Sequence, residues 1–504
     1  MALIDSIAQQ SGIPLSTKVV VLFITLLVLL ISYVVHALVL SPYAHIPGPL
    51  LSRLSNLPLY YATYKGTEAT TIARLHAKYG SVVLIAPNEV SVSDGRALKT
   101  VYTDAGGFRK ADCYRNFDID GFPSIFSELE RGNRAVRFKS VSGLFSTGAI
   151  RDSGEEVIKK VAKRWIAYLR QAKGGAKAHG QSADVLKAAR AFALDAVTGY
   201  LFGECYGALE EIAQEQRDAV GAAEKISASL FVDSFVAVGR FFYLPSWVFT
   251  LLETWSARLA KDKVQVEESM ETVDGFVGRI TEETAARLSD DKEENSYQAR
   301  MLKAGISKEE TKAQCKDLMF AGTDSTGMNL ATICWYLAKD PEKYTKLRAE
   351  ALANPDSSPQ SLPYLTGIVK EGLRLSMANP TRMPRVVPSS GYTLPGGQFL
   401  PPSTVVGLQP YTLHHNPAVF PSPNEFIPER WDDATPEMLR DSIPFGLGSR
   451  ACIARNLATV ELYIAVDAIV RDGLLEGASP CKSKIEILEW FNSKVIGEKI
   501  EIRW

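Results

Sequence analysis

The chain has 504 residues, 46% of them hydrophobic, so it can bury a large core. Its 56 Lys and Arg nearly balance 57 Asp and Glu, and this lack of a basic excess gives no reason to expect a nucleic-acid partner. The six cysteines (113, 205, 315, 334, 452 and 481) show no CxxC or zinc-like spacing, which argues against a disulfide or zinc framework.

Val19 to Leu40 carries no charge and is almost continuously aliphatic. As a helix it would span ~33 Å, about the hydrocarbon thickness of a bilayer. The run is too long for a cleaved signal peptide, so residues 1–40 are expected to be a retained anchor. Pro42, Pro47, Gly48 and Pro49 predict a stiff linker over residues 41–60 that cannot continue a helix. One large, mainly helical domain is then expected over 61–504. Ser81 to Ser93 predicts two short strands joined by a Pro-Asn turn. Short strand-like pieces also fall around Val386, from Gly391 to Leu394 and at the C-terminus. Phe231 to Leu252 is dense in aromatic residues, which suits either core packing or a lid touching a membrane surface.

Ser307-x-x-Glu310 has the form of a capping box, and a helical pattern runs from it to Asp340, where Pro341 stops it. That helix would be ~50 Å long, enough to cross the domain. At its middle lies Ala321-Gly322-Thr323-Asp324-Ser325-Thr326. Ala321 and Ser325 share a face, where the small Ala admits a flat group and the hydroxyl can bond back to the helix carbonyls. Asp324 is placed to relay protons. Further on, Glu371 and Arg374 stand three apart, and Ile368 and Leu375 on the stripe of Glu371 predict a buried carboxylate that must be paired. Finally, Phe445-Gly-Leu-Gly448-Ser-Arg450-Ala-Cys452 is a glycine loop running into an apolar helical pattern. It places Cys452 at a helix start, where the dipole favours the thiolate form that binds metal.

This last run resembles the haem-binding signature of the cytochrome P-450 family, with Ala454 where the family usually has Gly. The Ala321 to Thr326 patch looks like the family's oxygen-activation motif, with Ser325 in place of the usual Thr. Glu371-x-x-Arg374 and the later Pro428-Glu429-Arg430-Trp431 resemble its structural triad of Glu371, Arg374 and Arg430. These elements also occur in the family's order. The resemblance implies a mainly α fold with small β-sheets, a helical haem-binding domain preceded by one transmembrane helix. It implies haem b ligated through iron by Cys452, with Phe445, Gly448, Ala321, Arg450, Arg385 and a cation near Arg137 or Lys139 around it. Asp324, Ser325 and Thr326 would serve proton delivery.

The function implied is a membrane-anchored monooxygenase that inserts one oxygen atom from O2 into an apolar small molecule, in the style of terpenoid, polyketide or alkaloid biosynthesis. The overall style resembles enzymes of filamentous fungi. No Gly-x-Gly-x-x-Gly follows a strand, so NADPH would act indirectly, through a separate cytochrome P-450 reductase docking near Arg450 and Arg455, with cytochrome b5 as a second donor. The expected location is the endoplasmic reticulum membrane, single-pass, with the catalytic domain in the cytosol. Expected substrate contacts are Asp118 to Phe126, the Phe231 lid, Leu318 to Ser325, Met377 to Met383 and Trp490-Phe491-Asn492. Two alternatives are an oxygen-independent peroxide isomerase or dehydratase, and a non-enzymatic haem or sterol carrier. The Asp324-Ser325-Thr326 patch argues against both.

Overall fold

The uncharged N-terminal stretch folds as α1 (Leu15–Val35), prolonged by a wider turn over His36–Leu40. None of the most apolar part of Ser16–Leu40 is buried by the rest of the protein. The structure is a computed structural model describing residues 15–180, 182–218, 228–259, 263–290 and 294–504. The Pro-rich stretch that follows is already seated on the body. Ile46 is wholly buried, Leu84 N–H donates to the Pro47 carbonyl at 2.8 Å, and a Cβ at Gly48 would collide with the Leu84 carbonyl. Residues 50–54 and 57–64 then form short helices.

The first two strands are β1 (Val82–Ala86) and β2 (Glu89–Val92), paired antiparallel as a hairpin. With β3 (Arg109–Lys110), β4 (Arg385–Val386) and β5 (Val405–Gly407) they form one sheet, in the order β1-β2-β5-β4-β3. The register places Lys110 opposite Arg385. Two buried cations facing each other across neighbouring strands are unfavourable unless an anion lies between them.

Six helices position the site. The first four of them in chain order are α2 (Arg131–Val141), α3 (Val185–Leu201), α4 (Ala228–Val238) and α5 (Lys308–Lys339). α5 begins where the capping box predicts, with Ser307 Oγ accepting from Glu310 N–H at 3.1 Å. It ends at Asp340, whose side chain accepts from Lys343 N–H and so starts the next helix at Pro341. α3 is rich in Ala and buried along most of its length, so it lies close against α5. The contact is set by glycines on α5: a Cβ at Gly322 would meet Val197 and one at Gly327 would meet Arg190. The helical body closes with α6 (Pro363–Ser376) and α7 (Arg455–Arg471), both packed on α5.

Within the aromatic 231–252 segment, Phe241, Phe242, Tyr243 and Phe249 are buried while Trp247 is exposed. The segment is therefore mostly core with one apolar tip. The Phe231 side chain lies outside the described residues.

Candidate functional site

The cysteine loop is fixed by its glycines. Gly446 and Gly448 have φ of +65° and +68°, and a Cβ on Gly448 would collide with the Tyr102 carbonyl. The loop is tied shut by Cys452 N–H donating to the Phe445 carbonyl at 2.9 Å. Ala454 has φ −89°, which any residue adopts, so this position does not need the usual Gly. α7 starts at Arg455, three residues beyond Cys452. Cys452 is exposed, although the protein around it desolvates the thiol. Burial raises its thiol pKa, opposed by the Ala454 N–H and by Arg455. A helix start alone favours the thiolate. In this surrounding, a cation held against the sulfur is needed to draw the proton off.

Four cations gather beside the loop. Lys110, Arg134 and Arg385 are buried and Arg450 is half-buried, and among the described residues none forms an ion pair with a carboxylate. Arg450 donates to the Glu128 and Leu129 carbonyls at 2.7 and 2.8 Å, Arg134 to the Ile125 carbonyl at 3.1 Å, and Arg385 to Tyr114 Oη at 3.1 Å. Lys110 donates to the Phe126 carbonyl at 2.5 Å. Burial, then the charges of Arg134, Arg385 and Arg131, lower Arg450 to about 10. Burial and the neighbouring arginines push Lys110 well below its ordinary value. This is a preformed site for an anion of more than one negative charge.

Arg137 does not join this cluster. It is engaged by Glu310 at 2.5 Å and Glu128 at 3.5 Å, and Lys139 is exposed. The expected α2 cation is instead Arg134, one turn earlier on the inner face. In the sequence Arg134 and Arg137 are the same residue type one helical turn apart, so only the orientation of α2 separates them. Lys110 was also missed, and in sequence it carries no signal beyond a strand position. Since Arg450 turns inward, Arg455 alone of the two expected docking residues is exposed.

Glu371 is fully buried and accepts from five donors. Arg374 supplies two bonds at 2.8 and 2.9 Å, while Arg430, Trp431 and Ile427 N–H supply one each at 3.0 Å. Arg374 continues to the carbonyls of His414 and Pro423, and Arg430 to that of Pro421. The triad therefore clamps α6 to the meander upstream of the cysteine loop.

On α5, Ser325 Oγ bonds back to the Ala321 carbonyl at 3.2 Å, and both residues are open while Thr323, Asp324 and Thr326 are buried. Asp324 is held on both oxygens, by Arg190 at 2.6 Å and by Asn492 at 3.2 Å. The same guanidinium reaches Asp233 on α4 at 3.0 Å. Arg190 and Asp233 had no sequence signal, because they meet Asp324 only through the packing of α3 on α5.

Residues 47–476 match the Cytochrome P450 family. The chain is 42% identical over 499 residues to the cytochrome P450 monooxygenase mfmF of Annulohypoxylon moriforme, covering 95% of this chain and 99% of that one. It is 29% identical to the pisatin demethylase of Fusarium vanettenii, over 89% of this chain and 87% of that protein. It is also 29% identical to the N-acetyltryptophan 6-hydroxylase ivoC of Emericella nidulans, over 88% of this chain and 89% of that protein. A family match across most of the chain, a mainly helical fold and a relative this similar over its full length leave one assignment: the chain belongs to the cytochrome P450 family, whose members are haem monooxygenases ligated by a cysteine thiolate.

Proposed function

We propose that the protein is a membrane-anchored haem-thiolate monooxygenase that inserts one oxygen atom into an apolar small molecule of fungal-type secondary metabolism. The observation that carries this reading is the pairing of the Cys452 loop with a cluster of four cations, three buried and one half-buried, that no carboxylate neutralises among the described residues. Haem b fits both: its iron would take the Cys452 sulfur, and its two propionates would take Lys110, Arg134, Arg385 and Arg450. When bound, it supplies oxygen activation, with the thiolate favouring O–O cleavage. The chain's own work is to orient, to exclude water and to deliver protons. Ser325 would hold the last hydroxyl, Asp324 would gate protons towards it, and Arg190 and Asn492 would keep Asp324 in place. Thr326 lies next in the same turn.

The anchor reading is supported by the unburied Ser16–Leu40 helix and by exposed Leu50, Leu51, Leu57, Tyr61, Trp247 and Trp255 on the body. Several of these border a groove of about 720 Å³ lined by Leu57, Tyr60, Tyr64, Phe241 and Trp255. We assign the endoplasmic reticulum as the membrane, NADPH as the indirect electron source through a reductase, and cytochrome b5 as a second donor. The test incubates membranes carrying the full chain, reductase and NADPH with a metabolite panel read by mass spectrometry. A product heavier by one oxygen atom, dependent on NADPH and O2, is expected. Turnover that needs neither would overturn the reading.

A further inference from the structure

The turn Gly239–Phe241 leads from α4 towards the helix Ser246–Leu259 and is held from behind. Asn116 Nδ2 donates to the Phe242 and Leu244 carbonyls at 2.8 and 2.9 Å. Tyr243 Oη bonds the Arg382 carbonyl at 2.7 Å, and Phe242 and Tyr243 are both buried. The Arg240 side chain is therefore presented by a fixed backbone. It leans over the Phe241 ring, with Cζ 4.7 Å from the centroid. Among the described residues no carboxylate pairs with Arg240 and no acceptor bonds its buried Nε. A buried guanidinium nitrogen without an acceptor is costly, and an anion approaching from the open side would satisfy it.

That open side is the apolar groove of about 720 Å³, a size usual for small-molecule sites. Among the described residues Arg240 is the one charged side chain in its lining, beside Leu57, Tyr60, Tyr64, Leu252 and Trp255. A soluble anion needs no such wall, whereas an acyl chain does. The groove also lies on the side of the anchor. Tyr33 of α1 donates to the Leu54 carbonyl at 2.5 Å, just ahead of the helix Leu57–Tyr64 that forms one wall. Leu57, Tyr61 and Trp255 in the lining are exposed, a composition suited to the boundary between membrane and water.

We propose that this groove binds one anionic phospholipid of the bilayer, its phosphate on Arg240 and an acyl chain between the helices Leu57–Tyr64 and Ser246–Leu259. The choice of an anionic lipid follows from the lining, which offers a cation and no acid to hold a choline-type ammonium. The proposal rests on the anchor part of the function proposed above and adds a lipid partner at a defined site.

The test titrates the haem-loaded full chain, in dodecyl maltoside micelles, with phospholipids dibrominated on one acyl chain. Quenching of Trp255 is read as the difference between the wild type and Trp255→Phe. The wild type is expected to bind dibrominated phosphatidic acid about fivefold or more tightly than dibrominated phosphatidylcholine. Arg240→Gln should bring the two affinities together while keeping the phosphatidylcholine value, and Arg240→Lys should keep a preference. Equal affinity of the wild type for both lipids overturns the proposal, whether or not the Gln variant folds. Quenching that is unchanged in Trp255→Phe also overturns it, since the lipid would then lie outside the groove. Tighter binding of dibromostearate than of phosphatidic acid overturns it too, by making a free fatty acid the occupant. Flotation of the full chain with pure phosphatidylcholine vesicles separates the two readings, because failure to float counts against the anchor and not against Arg240.

Discussion

A Cβ added to Gly327 would meet Arg190 Cγ at 2.5 Å and its Cα at 2.9 Å, so α3 lies directly against α5 one turn beyond Asp324. This close approach is what brings the Arg190 guanidinium to Asp324, and through its other nitrogen to Asp233 on α4. Asp324 is therefore restrained by three elements, α3, α4 and the C-terminal loop that carries Asn492.

Arg190→Lys keeps the charge but loses the fork that holds two carboxylates at once. The expected result is normal haem content with less product per NADPH consumed and more peroxide. Gly327→Ala forces the helices apart at the same point, with a stability cost of about 1–3 kcal/mol as for other overpacked cores. Thermal unfolding and parallel assays of NADPH, peroxide and product check both variants. Unchanged coupling in Arg190→Lys would remove the guanidinium from proton delivery.

Ser325→Ala should leave haem content unchanged and lower product per NADPH, because the hydroxyl beside Ala321 is gone. Ser325→Thr should hold coupling at or above the wild type, since a β-branched side chain has fewer rotamers. If the Ala variant couples normally, Thr326 or a bound water carries the proton.

Glu371→Gln leaves Arg374 and Arg430 buried without their carboxylate. The expected loss is about 3–5 kcal/mol of stability, and with it most of the haem incorporation, since the clamp lies upstream of the cysteine loop. Chemical denaturation and haem content of the purified variant measure this. A variant with wild-type stability would show that the hydrogen bonds, and not the charge, hold the clamp.

Much of this organisation was legible in the sequence because it is written in local spacing. The cysteine loop, the capping box at Ser307, the Glu371–Arg374 pair and the hairpin at 82–92 each depend on neighbours within a few residues. What stayed hidden depends on tertiary approach. Lys110 and Arg385 become partners only through strand register, and Arg190 meets Asp324 only because Gly327 admits α3. Arg137 shows the limit of counting: it is one turn from Arg134 and of the same type, yet α2 turns it to Glu310 and Glu128. The thiol of Cys452 shows another, since burial outweighs a helix start that lies three residues away.

His414 supplies a pH dependence. Its Nε2 accepts from Ile443 N–H at 2.9 Å and its Nδ1 faces the Arg374 carbonyl at 3.2 Å, so the ring is neutral with the proton on Nδ1. Burial, then the Arg374 charge, lowers it to about 3. The unfolded chain binds this proton near pH 6.5 and the folded chain does not, so the contribution is complete above about 6.5 and is lost as pH falls towards 3. Stability should drop by about 1.4 kcal/mol per pH unit below 6.5 from this residue. His414→Asn should flatten that slope in denaturation series between neutral and acid pH, and an unchanged slope would assign it to other groups.

The most direct measurement is the carbon monoxide difference spectrum of the reduced, haem-loaded protein, compared between wild type and Cys452→Ser at matched haem content. The account predicts a thiolate-type long-wavelength Soret band in the wild type and its complete loss in the variant. A variant that keeps this band would contradict the assignment of Cys452 as the iron ligand, and with it the account of the site.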